Sequence, residues 1–159
     1  MHKKKNYPEL SPVTTKILDA FRLDQVTSHL LRRAHFKAEE LFASEFHDES
    51  VTPRQKAALI ALYQHPGMSQ NLLAEQLFMD RNTVAEMVKR LCANRLIERT
   101  PAATDARAYE LFLAPAGAAL LDRMMTRDSS VEKKLLERLP QEYRPLFLKC
   151  LRLIVQESD

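Results

Sequence analysis

Arg81, Asn82, Thr83, Glu86, Lys89 and Arg90 fall within one short stretch of the chain, and their spacing gives them a common outlook. On a helix over 81–94 they are exposed while Val84, Met87, Val88 and Leu91 face inward. Arginine can present two donors to guanine, and asparagine can pair in the same two-point manner with adenine. Arg81, Asn82 and Thr83 stand at the helix start, the end that reaches base edges in a helix-turn-helix. Lys89 and Arg90, further along, suit phosphate oxygens, which position a protein without reading sequence. The chemistry on offer is recognition of a duplex rather than bond making. A lone basic helix is an ordinary solvated face, so the reading rests on the elements that position it.

Those elements occur in order. Ser69 caps a short helix over 69–77 that carries Leu72, Leu73 and Leu77. Phe78-Met79 makes a tight connection, and Asp80 caps the helix that follows. Ser69, Gln70 and the amide groups at both helix starts are natural phosphate neighbours. After Asn94 the rhythm changes. Residues 96–100 suit a strand containing Arg99, residues 101–106 a polar turn, and residues 107–113 a second strand. The resulting hairpin is a wing. Arg107 lies near its tip, where a guanidinium could enter a narrow minor groove, and Asp105 could pair with it and stiffen the loop.

Upstream, residues 1–10 read as a basic tail and residues 11–23 as a short helix. A longer helix over 24–46 has an apolar stripe that includes Leu30, Leu31, Ala38, Leu41, Phe42 and Phe46. Thr52-Pro53 opens the next helix, which ends at His65-Pro66-Gly67. Downstream, a long helix runs from Pro115 to about 139, and another covers 142–155. These flanking amphipathic helices would expose much apolar surface in a monomer, which marks an interface.

Composition excludes several classes. With only two glycines, Gly67 and Gly117, no phosphate-cradling glycine loop can be built. The two cysteines, Cys92 and Cys150, make neither a disulfide framework nor a zinc site, and both read as small core residues. His29, His35, His47 and His65 lack metal-ligand spacing. No nucleophile–base or paired-carboxylate motif points to an enzyme, and no cofactor is implied. The longest apolar run, 57–63, is far too short to span a bilayer, and no signal-type stretch follows the N-terminus, so a cytoplasmic protein with no membrane partner is expected. The net charge of +3 neither demands nor excludes nucleic acid, so local clustering carries the argument.

Residues 52–117 resemble the multiple antibiotic resistance regulator (MarR) family. The matching stretches are Thr52-Pro53-Arg54-Gln55, His65-Pro66-Gly67-Met68-Ser69-Gln70, Asp80-Arg81-Asn82-Thr83-Val84, Val88-Lys89-Arg90-Leu91, Leu96-Ile97-Glu98-Arg99, Asp105-Ala106-Arg107 and Leu113-Ala114-Pro115-Ala116-Gly117. The resemblance implies a mainly α fold: a winged helix-turn-helix core over 51–113, with dimerisation helices over 11–50 and 114–159. It implies a homodimeric transcription regulator, a repressor by family habit, on a pseudo-palindromic DNA operator. It also implies a small-molecule effector, an aromatic acid or an aromatic acyl-coenzyme A thioester. Arg32, Arg33, His35, Phe36, Phe42, Tyr63 and Met68 are the candidate effector-binding residues. Three departures stand out: Phe78 where the family often has glycine, Ala102-Ala103-Thr104 where the wing is commonly charged, and Ala114 where threonine usually caps the next helix.

Overall fold

The computed structural model describes residues 9–102 and 109–156. The chain forms two compact units that divide between Lys37 and Ala38. In the first, α1 (Pro12–Ala20) starts where the Ser11 hydroxyl accepts from the Thr14 N–H at 3.2 Å. A 3₁₀ turn, Leu23–Gln25, leads into α2 (Thr27–Glu45). The helix predicted over 24–46 therefore begins later, because Val26 takes extended backbone angles. α1 buries none of its residues within the chain, and Ile17, Leu18 and Phe21 are exposed.

The second unit holds the end of α2 and everything after it. α3 (Pro53–Gln64) opens with a capping box: the Thr52 N–H donates to the Gln55 side chain and the Thr52 hydroxyl accepts from the Gln55 N–H. Then follow β1 (Met68–Ser69), α4 (Gln70–Gln76), α5 (Arg81–Ala93), β2 (Ile97–Pro101), β3 (Tyr109–Leu113), α6 (Pro115–Leu136) and α7 (Arg144–Val155). The antiparallel sheet has the order β1-β3-β2, with Ile97 opposite Leu113 and Met68 opposite Leu111. The pattern of the sequence predicts only the β2–β3 hairpin. β1 is added because Gly67, at φ +82°, turns the chain back so that its N–H donates to the Leu111 carbonyl at 3.0 Å. Two residues are too few to show an alternating pattern. Leu59 and Leu62 of α3, Leu73 of α4, Val84 and Leu91 of α5, Ile97, Leu111 and Met124 form one buried core. No helix among the described residues is long and apolar enough to cross a membrane.

Two backbone positions set how α5 and α6 join this core. Phe78, in the turn between α4 and α5, has φ +50°, in the left-handed region where an L side chain is disfavoured. Its ring is 81% exposed, so little burial offsets that cost. Gly117 sits in the first turn of α6, and a Cβ there would collide with the Leu96 carbonyl oxygen and approach Leu113 Cδ1 to 2.8 Å. This close approach seats α6 on the base of the hairpin. Ala114 caps α6 with no side-chain bond, and its own N–H donates to Leu96 O at 3.0 Å, which ties the start of α6 to the residue before β2.

A charged clamp joins the end of α2 to α6. Arg123 grips Glu49 at 2.9 and 3.1 Å, and Arg127 grips Asp48 at 3.0 Å through two bonds. Glu45 accepts from Lys134 and from the Ser130 hydroxyl, both at 3.0 Å. Beneath this layer Lys56 is buried, paired with Asp128, with its ammonium 5.6 Å from the Phe46 ring centre and 6.0 Å from that of Phe42. The Arg123 bonds hold Glu49 below the usual carboxylate range, the Arg127 bonds do so for Asp48, and the Lys134 and Ser130 bonds for Glu45.

Gly117→Ala is expected to destabilise the protein by ~1–3 kcal/mol, since backbone must move to admit the methyl group. Phe78→Gly is expected to stabilise it by ~0.5–1 kcal/mol, the left-handed penalty less the entropy of the freer chain. Thermal unfolding of both variants checks these signs. The clamp carboxylates titrate lower folded than unfolded, so their stabilisation is complete above their ordinary values of 4.5 and 3.8 and is lost as pH falls through the folded values. The melting temperature should begin to drop as pH falls below about 4.5, and the drop should shrink in an Arg123→Ala, Arg127→Ala double variant.

Candidate nucleic-acid interface

α4 and α5 are each started by a side-chain cap. Ser69 Oγ accepts from the Leu72 N–H at 3.2 Å, and Asp80 Oδ1 accepts from the Thr83 N–H at 2.9 Å. The Thr83 hydroxyl donates to Asp80 Oδ2 at 2.5 Å. These Thr83 bonds, the hydroxyl first, hold the Asp80 carboxyl below its ordinary range, so the cap stays ionised. They also commit the Thr83 proton to the cap. What Thr83 offers outward is its methyl group and a lone pair.

Val84, Met87, Val88 and Leu91 bury the inner stripe of α5, and Arg81, Asn82, Thr83, Glu86, Lys89 and Arg90 lie exposed along the other side. α5 ends where Arg95 takes φ +57° and the Leu96 N–H returns to the Leu91 carbonyl at 3.0 Å, which turns the chain into β2. The outer side of α5 is a ridge between two crevices. One, of about 420 Å³, runs between α5 and the start of α3 and is lined by Thr52, Arg54, Asn82, Glu86 and Arg90. The other, of about 530 Å³, is lined by Gln70, Glu86, Lys89, Cys92 and Arg99. Glu86 borders both and so stands on the crest. Each crevice carries two cationic side chains. Arg99 reaches its crevice from β2 with its guanidinium 3.6 Å above the Tyr109 ring centre, a stacked contact that holds it in place.

Of the residues predicted to contact DNA, Arg81, Asn82, Thr83, Glu86, Lys89 and Arg90 lie along the ridge, half-buried Gln70 and exposed Arg99 line the crevice beside it, and half-buried Ser69 caps α4. Asp105 and Arg107 lie outside the described residues. Arg54 joins this surface although the pattern of the sequence does not single it out. The available signal is its place in the first turn of α3, where the helix dipole disfavours a cation and no acidic residue offsets it.

The candidate effector residues fall in both units. Arg32, Arg33, His35 and Phe36 are exposed in the first unit, with the His35 and Phe36 rings 6.0 Å apart. In the second unit Phe42 is buried, its ring tilted against that of Phe46 with centres 4.8 Å apart, under Lys56. Met68 is buried in β1, and its neighbours His65, Pro66 and Gly67 border a different hollow from that of Tyr63. Tyr63 borders a cavity of about 340 Å³ with Ile60, Leu121, Asp122 and Met125. Cys92 is half-buried, and its desolvation raises the thiol pKa despite the nearby Arg99 charge, so the unreactive protonated form is favoured. Cys150, expected in the core, is exposed on α7, because within the chain that helix buries none of its residues.

Comparison with known proteins bears on the whole arrangement. A profile of the MarR family matches residues 50–108. The HTH-type transcriptional repressor NicR of Pseudomonas putida is 28% identical over 156 residues, 98% of this chain and 97% of that protein. The transcriptional regulator HosA of Escherichia coli is 30% identical over 102 residues, 64% of this chain and 76% of HosA. Among solved structures, the transcriptional repressor CouR bound to a 23-mer DNA duplex superposes with a TM-score of 0.79 at 28% identity, covering 84% of this chain and 95% of that one. The PcaV transcriptional regulator of Streptomyces coelicolor, in complex with its natural ligand, gives 0.80 at 27% identity, covering 88% and 99%. A helix-turn-helix with a polar ridge, a three-stranded wing sheet and these relatives lead to one conclusion: the chain belongs to the MarR family of transcriptional regulators.

Proposed function

We propose that the protein is a homodimeric repressor that reads a pseudo-palindromic operator with α5 and leaves it when a small aromatic acid, or an aromatic acyl-coenzyme A thioester, binds. The observation that carries the reading is the α5 ridge: Arg81, Asn82, Glu86 and Lys89 exposed together, with cationic crevices on both flanks. Arg81 and Asn82 read base edges, Lys89 and Arg99 hold phosphates, and the wing, with Arg107 and Asp105, lies over the neighbouring minor groove.

Pairing of two chains is supported by the apolar side chains that each terminal region leaves in water. Ile17, Leu18 and Phe21 are exposed around α1, as are Leu146, Leu153 and Ile154 on α7. A two-fold dimer brings two α5 helices to half-sites about 34–36 Å apart, one turn of DNA. The effector reading draws on the ligand complex of PcaV and on the exposed cations Arg32 and Arg33, which suit a carboxylate or a phosphate-bearing ligand. The division of the protein by role, with 51–113 reading DNA and 11–50 and 114–159 pairing the chains, belongs to the same proposal.

Fluorescence anisotropy on duplexes from the gene's own promoter region tests this. Affinity should fall steeply with salt, and sedimentation should give a dimer. Arg81→Ala and Asn82→Ala should each cost ~1–3 kcal/mol on the operator and far less on random duplex. A stable monomer, or equal binding of the variants and the parent to the operator, would refute the assignment. Aromatic carboxylates and their thioesters, screened by thermal shift, should include one that raises the melting temperature and releases the operator.

A further inference from the structure

We infer that Arg54, with Arg90, grips a backbone phosphate on the flank of α5 that faces α3, so that each DNA strand bordering the major groove is held by its own crevice. The inference rests on the proposal that α5 enters that groove. A helix with its side chains is about 10–12 Å across, and the major groove is about 12 Å wide. A helix that fills the groove brings one sugar-phosphate strand against each of its flanks. The flank toward β2 offers Lys89 and Arg99, residues already singled out by type and position. The flank toward α3 offers Arg54 and Arg90 across a hollow of about 420 Å³.

The two guanidiniums are the charged donors in that hollow, beside the neutral amide groups of Gln55 and Asn82. Gln55 spends its side-chain oxygen on the Thr52 N–H, and the Thr52 hydroxyl accepts from the Gln55 N–H. Among the described residues neither arginine has an ion pair, although Glu86 borders the same hollow. Two guanidiniums against one carboxylate leave the hollow cationic. Arg54 also stands where its own helix disfavours it, a local conflict that a polyanionic partner resolves. A phosphate fits this chemistry: guanidinium forks match its oxygens, and no base-edge selectivity is required.

The test is a salt series of DNA binding by the full chain, with an operator duplex and a random duplex of equal length. Arg54→Gln should weaken both by the same factor, roughly tenfold, and reduce the magnitude of the log–log salt slope by about one per subunit. Arg54→Lys, which keeps the charge, should retain the slope. The melting temperature of Arg54→Gln should stay level or rise, since an unfavourable cation has been removed from the start of α3. An unchanged slope overturns the inference. So does a loss confined to the operator, which would make Arg54 a base reader, and so does a lowered melting temperature that accounts for the weaker binding. A parent protein with no salt-dependent duplex binding refutes the DNA proposal itself. A parent that binds, beside an Arg54→Gln variant that binds equally, refutes only the phosphate grip.

Discussion

The inner stripe of α5 governs the rest of the second unit. Val84, Met87, Val88 and Leu91 are buried, each worth ~1.5–3 kcal/mol against exposure. A helix advances about 100° per residue, so fixing that stripe in the core also fixes the rotation of the opposite side. Arg81, Asn82, Glu86 and Lys89 need no contacts of their own to be aimed outward. Their direction follows from the burial of their neighbours. The axial position of the helix has a separate origin in the Asp80 cap and the left-handed Phe78 turn, which stop α4 and start α5 within four residues, 77–80.

The same core explains why the crevices beside α5 exist. α3 contributes Leu59 and Leu62 to the interior, and its start then lies alongside α5 with Arg54 at the rim. β2 contributes Ile97 and puts Arg99 on the opposite flank, where Tyr109 of β3 backs it. One hydrophobic cluster therefore positions cations on both sides of the ridge. The charged layer between α2 and α6 works differently. Removing Asp128 would leave the buried Lys56 ammonium without its carboxylate, and so would loosen α3 from α6. Phe42 and Phe46 serve that layer. Their buried rings face the Lys56 ammonium, so Phe42, a candidate for ligand contact, is spent on packing.

Much of this was legible along the chain. Ser69, Asp80 and the Thr52-Pro53 pair each announce a helix start, and Pro66-Gly67 ends one. The alternation of Val84, Met87, Val88 and Leu91 with charged neighbours marks the outward face of α5. These signals act within a turn or two, between residues that are neighbours whatever the rest of the chain does. The exposed position of Cys150 was not legible, because periodicity gives an apolar side but not its covering. The committed hydroxyl of Thr83 was not legible either, since a cap and a base contact call for the same residue type.

Sequence alone determined the order of elements, the caps, the mainly α winged architecture and which side of α5 is polar. Tertiary structure decided which distant groups share a surface: Arg54 with Arg90, Arg99 with Tyr109, Lys56 with Asp128, and the short β1 strand with β3. The reason is physical. Caps and amphipathic stripes are energetics of adjacent residues, whereas a crevice or a long-range ion pair arises only when core burial brings together segments that no local window contains.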